Sequence, residues 1–509
     1  MKYSRIWGDI MLYYSTRSPH GAVSSAQAII KGLAEDGGLF IPESFPHFSL
    51  QQIASLVNGT YVQRATAVLS QFLTDYTKEE LTEYISAAYA KSNFAHADVA
   101  PVVELGDNLY VLELFHGPTC AFKDFALQLL PHLLSAAIKK TNMQQTVVIL
   151  VATSGDTGKA ALEGFADVEG TKICVFYPDG GTSEIQRLQM TTQSGNNVMV
   201  FGVDGNFDDA QAGVKRIFGN EQCAQRLLDS GYVLSSANSI NWGRLVPQIA
   251  YYFSAYCDLA KAGKIAVGDC VNFAVPTGNF GNILAAYIAK QCGLPIGKLV
   301  CASNINNVLT DFMNTGVYSK NRDFHITKSP SMDILVSSNL ERLLYLLCKR
   351  NPADLSDYMR SLNEGGQYTI TQTMLQTLRE DFVAGYATEE ETDGAIRATM
   401  QNCGYLPDTH TAVGLKVAYN YQSTLAKDAP LVVTATASPF KFADSVLSAL
   451  GENTGESFAM LGQLSKLCGV APPEKLVELQ NKPERFLKVV NPNDMQSAVL
   501  NWLHAEVNK

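Results

Sequence analysis

The chain has 509 residues, of which 46% are hydrophobic and 17% are charged; this composition excludes a mainly disordered protein and predicts two or three folded domains. Its formal net charge of −10 argues against a surface for nucleic acid or anionic membranes, and no apolar run approaches the roughly 20 residues of a membrane helix. The ten cysteines show neither CxxC pairs nor zinc-type spacing, which indicates a reducing, cytoplasmic location and no metal site.

The N-terminal part of the chain reads as a helical domain. Residues 1–10 bear little relation to the rest of the chain, and we interpret them as a leader or the product of an alternative start. Up to about residue 100, the spacing of apolar residues predicts helices over 22–32 and 50–57. Residues 101–114 then alternate like two strands around a Gly-Asp-Asn turn.

From residue 146 onward, short runs rich in β-branched residues alternate with helical segments, which is typical of a largely parallel sheet covered on both faces. The predicted strands are 147–152, 172–177, 198–203, 270–275, 298–302 and 431–436, and the main predicted helices are 159–166, 183–192, 208–228 and 245–259. We therefore predict an α/β catalytic region over 101–451, with a smaller subdomain over about 140–240. A mostly helical elaboration is expected over about 320–428 and a helical extension over 452–509.

A glycine-rich segment, TGNFGN at residues 277–282, lies between a predicted strand and a predicted helix. Its glycines let the backbone approach a ligand closely, and the free N–H groups at the helix start can face an anion. The spacing matches neither a Walker loop nor the Rossmann fingerprint. An ordinary strand-to-helix turn would use the same residues, so this segment alone leaves both interpretations open: a plain turn or a site for a phosphate ester.

The segment HGPTCAFKDF at residues 116–125 leads into a helix whose first turn contains Lys123. A cation there opposes the helix dipole, and flanking aromatic residues should lower the pKa of its amine and make it a nucleophile. The alternative is a surface lysine whose stem lies on aromatic rings, and this segment alone favours that alternative. Pro131 predicts a kink or an end of the helix.

Five segments together resemble the motifs of threonine synthases of the bacterial and fungal type, in the order of that family. They are HGPTCAFKDF, TGNFGN, ATSGDTG at 152–158, SANSIN at 236–241 and TASPFKF at 436–442. The likeness begins within residues 13–42 and continues to about residue 451. It implies pyridoxal phosphate as the cofactor and the fold of the tryptophan synthase β chain, known as PLP fold type II, with a helical N-terminal domain.

The resemblance also implies roles for single residues. Lys123 would hold the cofactor as a Schiff base and move protons. The other residues that would bind the cofactor are Asp156, Gly278, Asn279, Phe280, Gly281, Asn282 and Thr436. The residues that would bind the substrate are Ser154, Thr157, Asn238, Ser239 and Arg244. Thr436 would face the pyridine nitrogen, where a hydroxyl should limit carbanion lifetime; in this hypothesis Thr436→Asp increases side reactions.

The implied reaction converts O-phospho-L-homoserine and water into L-threonine and phosphate by γ-elimination and β-addition, in a monomer or homodimer. Two alternatives stay open from the sequence. The first is an enzyme that releases a keto acid, as some proteins of this architecture do. The second is a binding protein of the same fold without catalytic activity. We interpret His116 as structural, whereas His410 could approach the cleft.

Overall fold

The computed structural model describes residues 10–424 and 429–507, so the predicted leader at 1–10 lies outside the described residues apart from Ile10. The N-terminal region contains β1 (Tyr13–Ser15), α1 (Ser25–Lys31), β2 (Phe40–Pro42), α2 (Leu50–Leu56), α3 (Tyr61–Leu69) and α4 (Lys78–Ala88). Each of these four helices begins with a capping box, in which a Ser or Thr and a Gln or Glu three residues later satisfy free N–H groups. The caps explain where the helices start.

Most of the remaining strands form two mainly parallel sheets. Their bounds are β3 (Val102–Gly106), β4 (Leu109–Glu113), β5 (Thr146–Ala152), β6 (Thr171–Pro178), β7 (Val198–Val203), β8 (Tyr232–Ser235), β9 (Val271–Pro276), β10 (Ile296–Ser303), β11 (Val317–Ser319), β12 (Gln367–Thr369), β13 (Phe382–Tyr386), β14 (Leu431–Ala435) and β15 (Val489–Val490). The larger sheet has the order β13-β10-β9-β14-β4-β3 and the smaller one β15-β7-β6-β5-β8. Apart from the antiparallel pair of β3 and β4, neighbouring strands in both sheets are parallel.

Helices cover both sheets, as the alternating pattern predicts. They are α5 (Lys123–Lys140), α6 (Asp156–Phe165), α7 (Glu184–Thr191), α8 (Phe207–Phe218), α9 (Glu221–Asp229), α10 (Trp242–Lys261), α11 (Gly281–Gln291), α12 (Val308–Thr315), α13 (Leu340–Leu347), α14 (Pro352–Gly365), α15 (Gln372–Asp381), α16 (Glu389–Cys403), α17 (Thr409–Gln422), α18 (Ala443–Ala449), α19 (Ser457–Cys468), α20 (Glu474–Val477) and α21 (Met495–Val507). None of the helices in 10–424 and 429–507 is long and apolar enough to cross a membrane.

One sequence prediction about these elements was wrong, and the structure adds one strand to each of two regions predicted to be mainly helical. The helix predicted over 208–228 is two helices, because Gly219 ends α8 and the side chain of Asn220 caps α9. The elaboration over 320–428 contributes strand β13 to the edge of the larger sheet, beside β10. The extension over 452–509 adds β15 to the edge of the smaller sheet, beside β7.

Helix α5 also continues through Pro131 to Lys140. A proline ring removes the N–H that would bond to the carbonyl four residues earlier, here that of Leu127. That carbonyl faces α6 instead, where a Cβ at Gly164 would lie 1.9 Å from the Leu127 oxygen. The absence of a side chain at Gly164 therefore lets the two helices pack at this point.

The carboxyl ends of the two sheets position the site. Strands β5, β9 and β14 are almost wholly buried, and the loops after them line one cavity. Ligands bind at such carboxyl ends in open α/β sheets. The loops after these three strands therefore converge on one cleft.

Candidate active site

The cavity has a volume of about 790 Å³. Every residue that the sequence singled out for cofactor or substrate lines its wall, namely Lys123, Ser154, Asp156, Thr157, Asn238, Ser239, Arg244, Gly278, Asn279, Phe280, Gly281, Asn282 and Thr436. These residues come from segments that are far apart in the chain. The structure therefore brings the complete predicted set together.

Lys123 is the first residue of α5 and is buried. Its Nζ donates to Asp156 Oδ2 at 3.1 Å and to Ser331 Oγ at 3.2 Å, and it lies 5.1 Å from the centre of the Phe122 ring. Burial lowers the pKa of this amine, although the nearby carboxylate of Asp156 opposes the effect. The surface position that was the alternative for this lysine is excluded.

Asp156 starts α6 and is shared by several donors. Its Oδ1 lies 2.7 Å from Lys441 Nζ and accepts a hydrogen bond of 3.0 Å from Gln186 Nε2. Burial acts to raise the pKa of Asp156, but Lys123 and Lys441 outweigh it and hold that pKa well below its usual range. The carboxylate is therefore ionised in the folded protein and holds the amine of Lys123.

The pair formed by His410 and Asp408 supports Lys123 through Ser331. His410 Nδ1 lies 2.9 Å from Asp408 Oδ1, and His410 Nε2 accepts the backbone N–H of Ser331 at 3.2 Å. Since the serine hydroxyl in turn accepts from Lys123, the pair fixes a group that contacts the amine. His116, by contrast, bonds to Glu113 at 2.7 Å and is absent from the cavity wall.

The TGNFGN loop leads from β9 into α11. Phe280 has a φ of 63°, and a Cβ at Gly278 would lie 2.5 Å from the carbonyl oxygen of Ser331. Ser337 Oγ donates to the Gly278 carbonyl at 2.7 Å, and the N–H of Asn339 donates to the Asn279 carbonyl at 3.1 Å. With these carbonyls held from outside the loop, its N–H groups at the start of α11 are left for an anion.

Arg244, in the first turn of α10, is a buried cation that lines the cavity. Its Nη1 donates to the Ala237 carbonyl at 2.5 Å, and its Nε has no hydrogen-bond partner among the described residues. No described acidic side chain forms an ion pair with it. Burial accordingly lowers the pKa of this guanidinium to about 10, and an anionic ligand would complete the site.

Comparisons with protein families cover nearly the whole chain. The family model for the threonine synthase N terminus matches residues 12–89, that for pyridoxal-phosphate-dependent enzymes matches 100–437, and that for the threonine synthase C-terminal part matches 411–499. The threonine synthase of Pseudomonas aeruginosa is 39% identical over 91% of this chain and 96% of its own length. The chain belongs to the threonine synthase family.

Other relatives share the family and the fold. The threonine synthase-like 1 protein of Homo sapiens is 41% identical over 92% of this chain, which spans 64% of that longer protein. The structure of a PLP-bound threonine synthase from Brucella melitensis superposes with a TM-score of 0.86 at 38% identity, covering 97% of this chain and 98% of the other. Yeast threonine synthase gives 0.87 at 33% identity, over 97% and 99% of the two chains. The predicted α/β architecture, PLP fold type II, is thereby confirmed.

Pyridoxal phosphate is the cofactor of this threonine synthase family member, and the cavity fits it chemically. The loop at 277–282 offers N–H donors for a phosphate, and Lys123 offers an amine for an aldehyde. The side chain of Asn282 is also available to a bound cofactor. Its Oδ1 accepts hydrogen bonds from the hydroxyls of Tyr251 at 2.5 Å and Tyr252 at 2.6 Å. Its Nδ2 is left without a partner among the described residues.

Sequence reasoning missed three residues of this site. Lys441 lies in the TASPFKF segment, and a lysine within an apolar run at a strand end was the available signal. Ser331 lies in a short 3₁₀ turn, Pro330–Met332, for which the sequence offered no periodicity. Asp408 precedes α17 and its side chain caps that helix, so its contact with His410 depends on the folded structure.

Proposed function

We propose that this protein converts O-phospho-L-homoserine and water into L-threonine and phosphate. The observation that carries the proposal is Arg244, a buried guanidinium in the cavity without an acidic partner among the described residues. A phosphorylated substrate supplies the missing anion, which a guanidinium can bind at two points. Membership of the threonine synthase family supports the same reaction.

Different residues of the cavity would bind the cofactor and the substrate. When bound, pyridoxal phosphate supplies the electron sink that stabilises negative charge at Cα and Cβ of the substrate. The residues that would hold it are Lys123, Asp156, Gly278, Asn279, Phe280, Gly281, Asn282 and Thr436. The residues that would bind the substrate phosphate are Asn238, Ser239 and Arg244, while Ser154 and Thr157 would contact the amino-acid end.

Lys123 would carry the protons. With the cofactor holding the substrate amine, the free Nζ of Lys123 would take the proton from Cα and pass it to the phosphate that leaves from Cγ, and it would take a proton from Cβ and return it to Cγ. It would then take a proton from the water that adds at Cβ and return it to Cα. A lysine with a pKa lowered by burial is suited to these repeated transfers.

The decisive experiment incubates the purified full chain with pyridoxal phosphate and O-phosphohomoserine and measures threonine, phosphate and 2-oxobutyrate. We expect threonine and phosphate in equal amounts. Phosphate with 2-oxobutyrate and no threonine would instead identify a phospho-lyase that releases a keto acid. Absence of phosphate release, with the cofactor bound, would overturn the assignment as an enzyme acting on this substrate.

We also propose that the protein is a cytoplasmic monomer or homodimer. All ten cysteines are free thiols in the structure, as expected in a reducing compartment. Light scattering during size-exclusion chromatography would distinguish the two assembly states. The proposed domain boundaries near residues 100 and 451 can be tested by limited proteolysis, which should cut first at exposed linkers.

A further inference from the structure

Two lysines share one buried carboxylate beside the cavity. Asp156 Oδ2 lies 3.1 Å from Lys123 Nζ, and Asp156 Oδ1 lies 2.7 Å from Lys441 Nζ. The side chain of Lys441 is fully buried, and that of Lys123 is 10% exposed, on the cavity side. One carboxylate cannot neutralise two ammonium groups, so in this poorly solvated position one lysine should give up its charge.

The contacts indicate which lysine stays charged. Lys441 combines the shorter ion pair with a 2.9 Å hydrogen bond to the Thr119 carbonyl. Lys123 has the longer ion pair and a 3.2 Å bond to the Ser331 hydroxyl, which can donate or accept and so tolerates a neutral amine equally well. The geometry therefore favours an ammonium at Lys441 and a neutral amine at Lys123.

We propose that Lys441 is a positioning residue for catalysis, which occupies Asp156 and, by its own charge, keeps Lys123 in the uncharged, reactive form. The inference rests on the proposed function of Lys123 as the cofactor lysine. An uncharged amine is the form that attacks an aldehyde and removes a proton, and a neighbouring cation is an established way to maintain it. Burial contributes most to lowering the pKa of Lys123; Asp156 opposes it, and Lys441 and Arg244 lower it further.

The remaining titratable groups around the pair do not replace Lys441. Arg244 from α10 acts on Lys123 and His410 from α17 acts on Asp156. Asp124 from α5 and Cys120 from the loop before α5 interact with Lys441, and Lys159 from α6 is a neighbour of Cys120. Asp124 is the additional acid, but its oxygens accept from the N–H and hydroxyl of Thr119 at 2.8 and 2.6 Å. Asp156 is therefore the carboxylate that both lysines contact.

The test measures the protonation of Lys123 directly in the full chain freed of cofactor. The protein is trace-labelled with acetic anhydride from pH 6 to 11, and the labelled Lys123 peptide is quantified by mass spectrometry. In the natural chain, the midpoint should lie below the roughly 10.4 of an exposed lysine. In Lys441→Met and Lys441→Gln, Asp156 serves Lys123 alone, and the midpoint should rise by about one to three pH units.

Lys159→Met is the matched control. Lys159 is also a buried lysine, bound to Glu163 at 2.6 Å, but it is absent from the cavity wall, so this variant should leave the Lys123 midpoint unchanged. Lys441→Gln removes the charge but keeps a hydrogen-bonding side chain, which guards against a folding defect in Lys441→Met.

The outcomes separate this inference from the proposed function. If the labelling midpoint of Lys123 is the same in the folded Lys441 variants as in the natural chain, the inference is overturned. A midpoint in the natural chain that equals that of an exposed lysine also overturns it, and this measurement requires no variant. A borohydride-stable cofactor adduct on a residue other than Lys123 would instead overturn the proposed role of Lys123. A raised midpoint restricted to the Lys441 variants supports the inference whether or not threonine is the product.

Discussion

The cavity contains two cationic regions that are built in opposite ways. Around Lys123, the protein supplies its own counterion, because Asp156 contacts both Lys123 and Lys441. Around Arg244, no described acid forms an ion pair, and one guanidinium nitrogen has no partner among the described residues. A buried charge with an internal partner controls protonation, whereas one without a partner is prepared for an anion from outside. The first region suits chemistry and the second suits recognition.

The largest effect should follow from removing Lys123. In Lys123→Ala we expect turnover to fall about 1000-fold or more, because both the covalent attachment point and the proton carrier are lost. Reduction with borohydride should then leave no cofactor on the chain, as measured by mass spectrometry. Lys159→Ala, which removes a buried lysine outside the cavity wall, serves as the control and should retain both adduct and turnover.

Removing the guanidinium of Arg244 should impair substrate binding and leave cofactor binding intact. In Arg244→Ala we expect the KM for O-phosphohomoserine to rise about 100-fold, the cost of deleting a buried partner of a charged group. The visible absorption of the bound cofactor should be unchanged, because the lysine region is intact. Steady-state kinetics and absorption spectra measure the two effects separately. A normal response to substrate in this variant would contradict the phosphate role of Arg244.

Much of this arrangement was predictable, because segments that look like buried strands and polar loops in the sequence have those positions in the fold. Strands β5, β9 and β14 are largely apolar runs, and each is followed by a loop of small polar residues. Parallel strands bring such loops to the same edge. The amino-acid pattern alone therefore predicts that the loops after these three strands, which include the phosphate loop, meet at one cleft, whereas the places of Lys123 and of the substrate segment were implied by the family resemblance.

The remaining features depend on contacts between distant segments. Ser331 reaches Lys123 because its backbone N–H is held by His410, 79 residues away. The close packing of α5 on α6 beside Pro131 depends on a missing side chain at Gly164 in the next helix. Strand β13 is short and contains a glycine, so it joins the sheet through its pairing with β10 rather than through strong local propensity. None of these contacts leaves a periodic signal.

The acid dependence of stability also separates the two regions. The pKa of Asp156 is held well below its usual range, so its stabilising contribution is present above the unfolded value of about 3.9 and is lost as the pH falls through the lower folded value. Asp156→Asn should therefore lower the free energy of unfolding at pH 7, by about 3 kcal/mol. The difference from the natural chain should shrink below about pH 4.

Denaturant unfolding of the cofactor-free chain between pH 7 and 3 measures this difference. Arg244→Ala is the informative comparison, because no described carboxylate is paired with Arg244 and its effect on stability should not follow the titration of a carboxyl group. If Asp156→Asn destabilises the protein equally at pH 7 and pH 3, the carboxylate is not the group that holds the two lysines.

The smallest effect should come from Ser331, and it tests whether the lysine region can be altered alone. Ser331→Ala removes the hydroxyl that lies 3.2 Å from Lys123 Nζ, and the loss of one neutral hydrogen bond should lower kcat about threefold to tenfold. Ser337→Ala is the matched control, since its hydroxyl bonds to the Gly278 carbonyl at 2.7 Å and should affect cofactor affinity instead. If Ser331→Ala instead raises the KM for substrate and leaves kcat unchanged, the two regions are not separable. A change beside Lys123 would then impair substrate binding, which is the role proposed for Arg244.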